Sequence, residues 1–253
     1  MTSRRCVSAL LVTSGLLAAL GCAPKTMSSG ETVEIPFGWA PGMRLEYKTT
    51  QAVTLLGYGP SPLTQQQIIT QTMLIGTGPD DSLEVRFEQD GQEIYVPIRL
   101  SRSGTYLGIT PNPEKEVSKE VAKTIQDTME VALQFLGSWR VGERRLLKPV
   151  VVRVAEGSAS AKTYATFRKR TVQLEREAAE FQVEVEMYVS TTSPGAQGGM
   201  SGFTTGPWWV DLSTGLVLRY SSRTEGTMRV PSGSYRFKGE GDQVLQLGTS
   251  RGL

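Results

Sequence analysis

Hydrophobic and polar residues alternate one by one over much of this chain. The clearest run is "AEFQVEVEMYVS". Phe181, Val183, Val185, Met187 and Val189 point one way, and Glu180, Gln182, Glu184 and Glu186 point the other. A period of two with one wet face predicts a half-buried antiparallel strand. Weaker alternation predicts strands over 44–56, 66–75, 82–88, 93–100 and 105–109. After the middle of the chain it predicts strands over 146–154, 161–167, 171–176, 207–212, 216–224 and 227–237. Turn-forming stretches such as "GTGPDDS", "QDGQ" and "PSGS" separate them. In "DLSTGL", Asp211 can accept hydrogen bonds from the turn backbone and Gly215 can take a positive φ, so a tight hairpin loop is expected. Short strands at this spacing predict an all-β sandwich, a barrel or a strongly curved sheet.

One segment carries a different period. In "NPEKEVSKEVAKTIQDTMEVALQFLG", residues Val117, Val121, Ile125, Met129, Leu133 and Leu136 recur at near four-residue steps. That stripe predicts an amphipathic helix over 112–137. Asn112 or its turn can cap the start, Pro113 suits the first turn, Glu114 and Glu116 favour the positive end, and Gly137 can close it. The polar face mixes Glu and Lys, which favours packing on a sheet over the rival reading of a membrane-surface helix. The expected fold is therefore mainly β: a strongly curved antiparallel sheet or incomplete barrel with one central amphipathic helix packed against it. Residues 33–253 form one β-rich domain, with a first β half at 33–111, the helix at 112–137, a second β half at 138–247 and a tail at 248–253. "APGMRLEYKT" at 40–49 and "RVGERRLLKP" at 140–149 hint at related strand starts, but ten residues are too few to define a repeat.

The amino terminus follows another logic. Arg4 and Arg5 precede an apolar run from Val7 to Leu20 that ends in small residues, the make-up of a secretory signal. The run is shorter than the ~20 residues a membrane-spanning helix needs. Its end, Ala19-Leu20-Gly21-Cys22, resembles the lipobox of bacterial lipoproteins. That resemblance implies removal of residues 1–21, a diacylglycerol on the Cys22 thiol and often an acyl chain such as palmitate on the new amino terminus. Two or three chains anchor a protein firmly in the lipid bilayer, where one binds only marginally. Enterobacterial lipoproteins retained at the inner membrane carry Asp after the Cys. Ala23 here points by the same analogy to the periplasmic face of the outer membrane. The rival reading is ordinary secretory cleavage with Cys22 an incidental thiol. Cys6 leaves with the signal, so no disulfide is expected. Residues 22–32 then comprise the acylated Cys and a flexible tether.

Charge narrows the partners. The chain has 27 basic and 25 acidic residues, and removing Arg4 and Arg5 with the signal balances them. The dense basic clusters, Arg168-Lys169-Arg170 and Arg140/Arg144/Arg145, have acidic neighbours at Glu143, Glu175 and Glu177. They read as solvated strand faces and turns, so no nucleic-acid partner is expected. The absence of His excludes Ser-His-Asp and Cys-His catalysis. With Cys22 acylated, typical zinc sites have no ligands either. No glycine-rich phosphate loop precedes a helix. Ser118-Lys119 reads as a solvated helix face, and Asp80-Asp81 and Glu240/Asp242 read as turn chemistry. No catalytic residue, cofactor or metal is expected. The stretch "TTSPGAQGGMSGFTTG" at 191–206 reads as a hairpin connection or, alternatively, as a lid over an apolar cavity with Met200 and Phe203 as its sticky residues. Trp208 and Trp209 are adjacent and must face opposite ways in a strand, one into the core and the other toward a cavity or the surface. These four residues are the candidate ligand or lid contacts.

A lipobox, many antiparallel strands and one amphipathic helix together resemble the lipoprotein-handling families of the LolA/LolB and LppX/LprG type. "PGMRLEYK", "SWRVGE" and "WWVDLSTGLVLRYSS" are likewise similar to uncharacterised envelope lipoproteins of that build. The resemblance implies an incomplete barrel covered by helices, with a hollow that holds acyl chains. The functional expectation is a membrane-anchored, non-enzymatic envelope lipoprotein with an apolar ligand or lipidated partner in its concave face. The alternatives are a structural or protein-interaction lipoprotein without a small-molecule ligand, and a hydrolase with an atypical residue set, which the missing His disfavours.

Overall fold

A computed structural model describes residues 30–57, 61–89, 91–93, 97–110, 119–154, 157–191, 198–247 and 250–253. The expected signal segment, Cys22 and nearly all of the tether lie outside the described residues. So do positions 112–118 of the expected helix, including Ser118, and positions 192–197 of the glycine-rich stretch.

The first half contains β1 (Thr32–Ile35), β2 (Arg44–Leu56), β3 (Leu63–Thr77), β4 (Leu83–Gln89), β5 (Gln92–Glu93), β6 (Ile98–Leu100) and β7 (Tyr106–Ile109). The helix α1 (Lys119–Leu133) follows. The second half contains β8 (Gly137–Arg140), β9 (Arg144–Leu146), β10 (Val150–Val154), β11 (Gly157–Gln173), β12 (Arg176–Thr191), β13 (Gly198–Asp211), β14 (Val217–Val230) and β15 (Gly233–Leu245). β1 and β8 make a small sheet of their own. The others join one antiparallel sheet in the order β10-β11-β12-β13-β14-β15-β2-β3-β4-β6-β7, with β9 beside β11 and β5 beside β4. The two halves of the chain thus meet where β15 pairs with β2.

Three elements depart from the periodicity. Residues 161–167 and 171–176 look like two strands because a bulge between Phe167 and Lys169 resets the alternation. They belong to β11 and the start of β12. The stretch 146–154 is divided between β9 and β10. "GGMSGFTTG" at 198–206 is not a connection at all, because β13 already begins at Gly198 and runs to Asp211. Its lack of bulk hides it from pattern reading, and a neighbour supplies the missing surface: Phe237 of β15 lies over Gly226 and close to Gly202, which pair across β13 and β14.

The expected central helix is corrected. α1 is a single short helix that ends at Leu133, and it packs against β7 and β10, the two edge strands of the large sheet. One helix can touch both edges only if the sheet rolls over on itself. Among the described residues the edges do not hydrogen-bond to each other, so the sheet is not a closed barrel. The physical reason for the helix's place is that the sheet's inner face is already occupied at this end. Phe135, just beyond α1, stacks on Trp208 at 4.8 Å and meets Phe181 edge-on at 5.2 Å. Trp139 of β8 meets Phe181 edge-on at 4.9 Å, and its Nε1 donates to the Phe135 carbonyl at 2.9 Å. These rings, with Phe167, Leu45, Leu218 and Leu245, are buried and close one end of the roll.

Ion pairs hold α1 in place. Lys148, on the connection between β9 and β10, pairs with Asp127 at 2.8 Å and with Glu130, and Lys123 also pairs with Asp127. The "DLSTGL" turn forms as expected. Asp211 Oδ1 accepts from the Ser213 and Thr214 backbone N–H groups at 2.8 and 2.7 Å, and Gly215 sits at φ +69°. The two similar segments also share a local geometry. Gly42 N–H donates to Ile75 O at 2.7 Å, and Gly142 N–H donates to Phe167 O at 2.8 Å.

Candidate functional site

Strand register sorts the side chains of the long strands onto two faces. The face that carries Phe181 and Trp208 meets Phe135 and is the inner, concave one. A row of paired residues crosses it from Phe167 through Phe181, Trp208, Tyr220 and Gln243 to Thr49. This row is the upper surface of the closed end. Beyond it the inner residues become small. One row passes through Val183, Gly206, Ser222, Gly241 and Gln51, and the next through Thr163, Val185, Thr204, Thr224, Gly239 and Val53. Further out come Met187, Phe237 and Leu55, then Val189, Met200 and Met228. Thr204, Thr224, Met187, Met200 and Met228 are half-buried, so this part of the concave face is a hollow with an apolar rim.

The charge pattern across the sheet is asymmetric. From the Phe167–Thr49 row to the open end, no described inward position on β2, β3 or β11–β15 is charged. The outward face of the same strands carries Glu184 and Glu186 on β12, Arg219, Arg223, Glu225 and Arg229 on β14, and Arg236, Lys238, Glu240 and Asp242 on β15. A membrane-spanning barrel shows the reverse, an apolar outer band around a polar lumen. Many outward charges are paired, among them Arg144 with Glu184 at 2.7 Å, Lys238 with Glu225 at 3.0 Å and Arg219 with Asp242 at 3.2 Å. The basic clusters of the sequence are engaged in the same way: Arg145 with Glu143, Lys169 with Glu180 and Arg170 with Glu31.

Hydroxyls and amides line the floor of the hollow. Thr49 Oγ1 and Thr163 Oγ1 are buried without a hydrogen-bond partner, and the buried Tyr220 hydroxyl has the Gln51 side chain as its neighbour. An unpartnered buried hydroxyl costs about 1–3 kcal/mol. Burial pushes the Tyr220 hydroxyl well above the ordinary tyrosine range, so it stays a neutral donor. Its ring leans across Gly241, toward the open end. The place a Cβ on Gly241 would occupy lies 3.0 Å from Ser222 Oγ and 3.6 Å from the Tyr220 hydroxyl oxygen. On the wall above, Thr204 and Thr224 share a hydrogen bond at 2.8 Å. The wall here is closely packed around Gly241, and the half-buried rim beyond it presents an apolar surface.

The four candidate residues do not form one site. Met200 faces inward at the open end, and Trp208 faces inward at the closed end, about 26 Å away along the same strand. Phe203 faces outward, 43% exposed, across from Glu186 and Glu225. Trp209 also faces outward, opposite to Trp208 as adjacency requires. It is fully buried and donates through Nε1 to Glu180 at 3.2 Å. Met200 and Phe203 thus sit on a paired strand rather than on a lid. Cys22 lies outside the described residues. Sequence reasoning missed Tyr220, Ser222, Gln51, Thr204 and Thr224. Their alternation was visible, but only the pairing of β14 with β15 and of β15 with β2 brings them together. Among the described residues no helix is long and apolar enough to cross a membrane. No cluster of His, Cys, Asp and Glu among them could hold a metal ion.

No protein-family model matches the chain, and no curated protein matches it. Several solved structures show a loose likeness. One is a Bacteroides fragilis protein with a YmcC-like fold, described as exported, at 11% identity and TM-score 0.28, covering 84% of this chain and 97% of that one. Another is an outer membrane channel from Pseudomonas putida F1, at 9% identity and TM-score 0.25, covering 83% and 97%. A third is a loop-deletion mutant of the Vibrio cholerae outer membrane protein OmpT, at 8% identity and TM-score 0.23, covering 87% and 100%. All three neighbours are exported or outer-membrane proteins. Superposition this loose places the chain in none of their families, and it lends no specific support to a LolA/LolB- or LppX/LprG-like assignment.

Proposed function

We propose that this protein is a non-enzymatic lipoprotein of the cell envelope. Cys22 anchors it to the bilayer, and the concave face of its rolled sheet holds an apolar ligand or a lipidated partner. One observation carries the ligand half of the reading: the inner face is uncharged from the aromatic row to the open end, while the outer face is densely charged. A filled core needs no methionine-rimmed, half-buried hollow, whereas a flexible apolar ligand does, because methionine adapts its shape to what it contacts. The lipobox-like "LLAALGC" supports the anchor.

Native mass spectrometry of the full-length protein after mild extraction tests the ligand. The expected result is a co-purifying apolar species. A protein that is repeatedly empty returns the reading to a structural or interaction lipoprotein. Metabolic labelling with an alkynyl fatty acid tests the anchor: label on the wild type and none on Cys22→Ser is expected, and equal label on both removes it.

A further inference from the structure

The place where the folded chain starts decides which end of the roll can face a bilayer. We infer that the open end points away from the membrane that holds Cys22, so that what enters the hollow is handed over from the aqueous side by a protein bearing an apolar group. This inference rests on the readings of Cys22 as a lipid anchor and of the concave face as a ligand site, and it adds the direction of entry.

Glu31 is seated at the closed end. Its carbonyl accepts from the Val141 N–H at 2.9 Å, and its carboxylate pairs with Arg170 at 3.4 Å. The Arg170 guanidinium also donates to the Thr32 carbonyl at 3.4 Å. Arg170 is in register with Ala179, Ala179 with Val210, and Val210 with Val217. This row lies beyond the aromatic row, on the side away from the open end. From it β12 runs twelve residue steps from Ala179 to Thr191, and β14 runs thirteen from Val217 to Val230. At the rise of a strand these are walls of about 40 and 43 Å. Nine residue steps separate Cys22 from Glu31, and a fully extended chain of nine steps covers at most about 32 Å. Seating the open end on the bilayer therefore pulls against the covalent reach of the anchor, whereas seating the closed end does not. The closed end offers no way in, because Phe135, Trp139 and Phe181 are fully buried there and packed ring against ring. Entry is thus from the end held away from the bilayer. An apolar ligand crosses water poorly on its own, so it reaches that end on a carrier or as part of a lipidated partner.

The test uses the full acylated protein, extracted from membranes and reconstituted in liposomes that carry an energy-acceptor dye on a lipid head group. The donor dye is placed on one introduced cysteine. Val172→Cys, at an exposed position beside the β11–β12 turn, marks the closed end, and Ser234→Cys, at an exposed position of the β14–β15 hairpin, marks the open end. With Cys6 removed and Cys22 acylated, no other thiol competes for the dye. For ends separated by about 40 Å, transfer from position 172 should exceed transfer from position 234 by at least about twofold. Equal transfer from the two positions, or greater transfer from 234, overturns the inference and leaves the anchor standing. Cys22→Ser versions of both proteins should not associate with the liposomes. Association that survives Cys22→Ser, or an unmodified protein that does not associate, overturns the anchor reading and this inference with it.

Discussion

Asp211 shows how one residue can fix a turn and a pH dependence together. Burial alone would raise its pKa. Hydrogen bonds from Arg176, Ser213 and Thr214 outweigh that effect and hold the carboxyl below the usual carboxylate range. A group whose folded pKa is depressed contributes stability that is present above the unfolded pKa, near 3.9, and is lost as pH falls through the folded one. Thermal melts should therefore lose Tm from about pH 5 downward, and Asp211→Asn should flatten that acid limb. Asp211→Ala leaves Arg176 and the turn N–H groups without their acceptor, so it should cost about 3 kcal/mol in denaturant unfolding at neutral pH. A second residue-scale prediction concerns Gly226. A methyl group there would run into the Phe237 ring and the Ser201 carbonyl. Gly226→Ala should destabilise the protein by about 1–3 kcal/mol. Adding Phe237→Ala should not restore it, because the carbonyl clash remains.

The helix was half legible, and its sequence could not show where it docks. Met129 is buried, as the apolar stripe requires, but Leu133 closes the helix and the chain turns Phe135 into the aromatic group. A stripe records that a face is covered and not what covers it. Strands were most legible where bulk alternates, as from Phe181 to Val189. They were least legible where a bulge shifts the phase at Phe167/Lys169 or where glycines borrow a neighbour's ring, as along 198–206. The grouping of Tyr220, Ser222 and Gln51 was invisible for the same reason. Gln51 is far in sequence from Tyr220 and Ser222, and only the β15–β2 pairing joins them. At this scale the account makes a further prediction. Burial raises the Asp127 pKa, and hydrogen bonds from Lys123 and Lys148 lower it by more, so the carboxylate depends on both cations. Lys148→Met removes one of them and leaves Glu130 with Gln126 alone of its two hydrogen-bond donors. Hydrogen exchange should quicken in α1 while β12–β14 keep their protection.

At the scale of the whole molecule, the described residues form one large rolled sheet and a small β1–β8 sheet, with aromatic rings plugging one end of the roll and a short helix bridging its edges. The strand-rich build followed from the period-two pattern, and the roll followed from pairings that no local pattern encodes. What separates this molecule from a membrane-spanning barrel is the side on which charge lies. The sheet keeps its charges outside and presents an uncharged hollow within. The central claim is that this hollow is occupied. It is tested most directly by native mass spectrometry of the wild type beside Thr224→Trp, whose indole would fill the hollow between Thr204 and Gly239. The account predicts a bound apolar species on the wild type and none on a folded Thr224→Trp protein. An empty wild type, or the same species retained by Thr224→Trp, would contradict it.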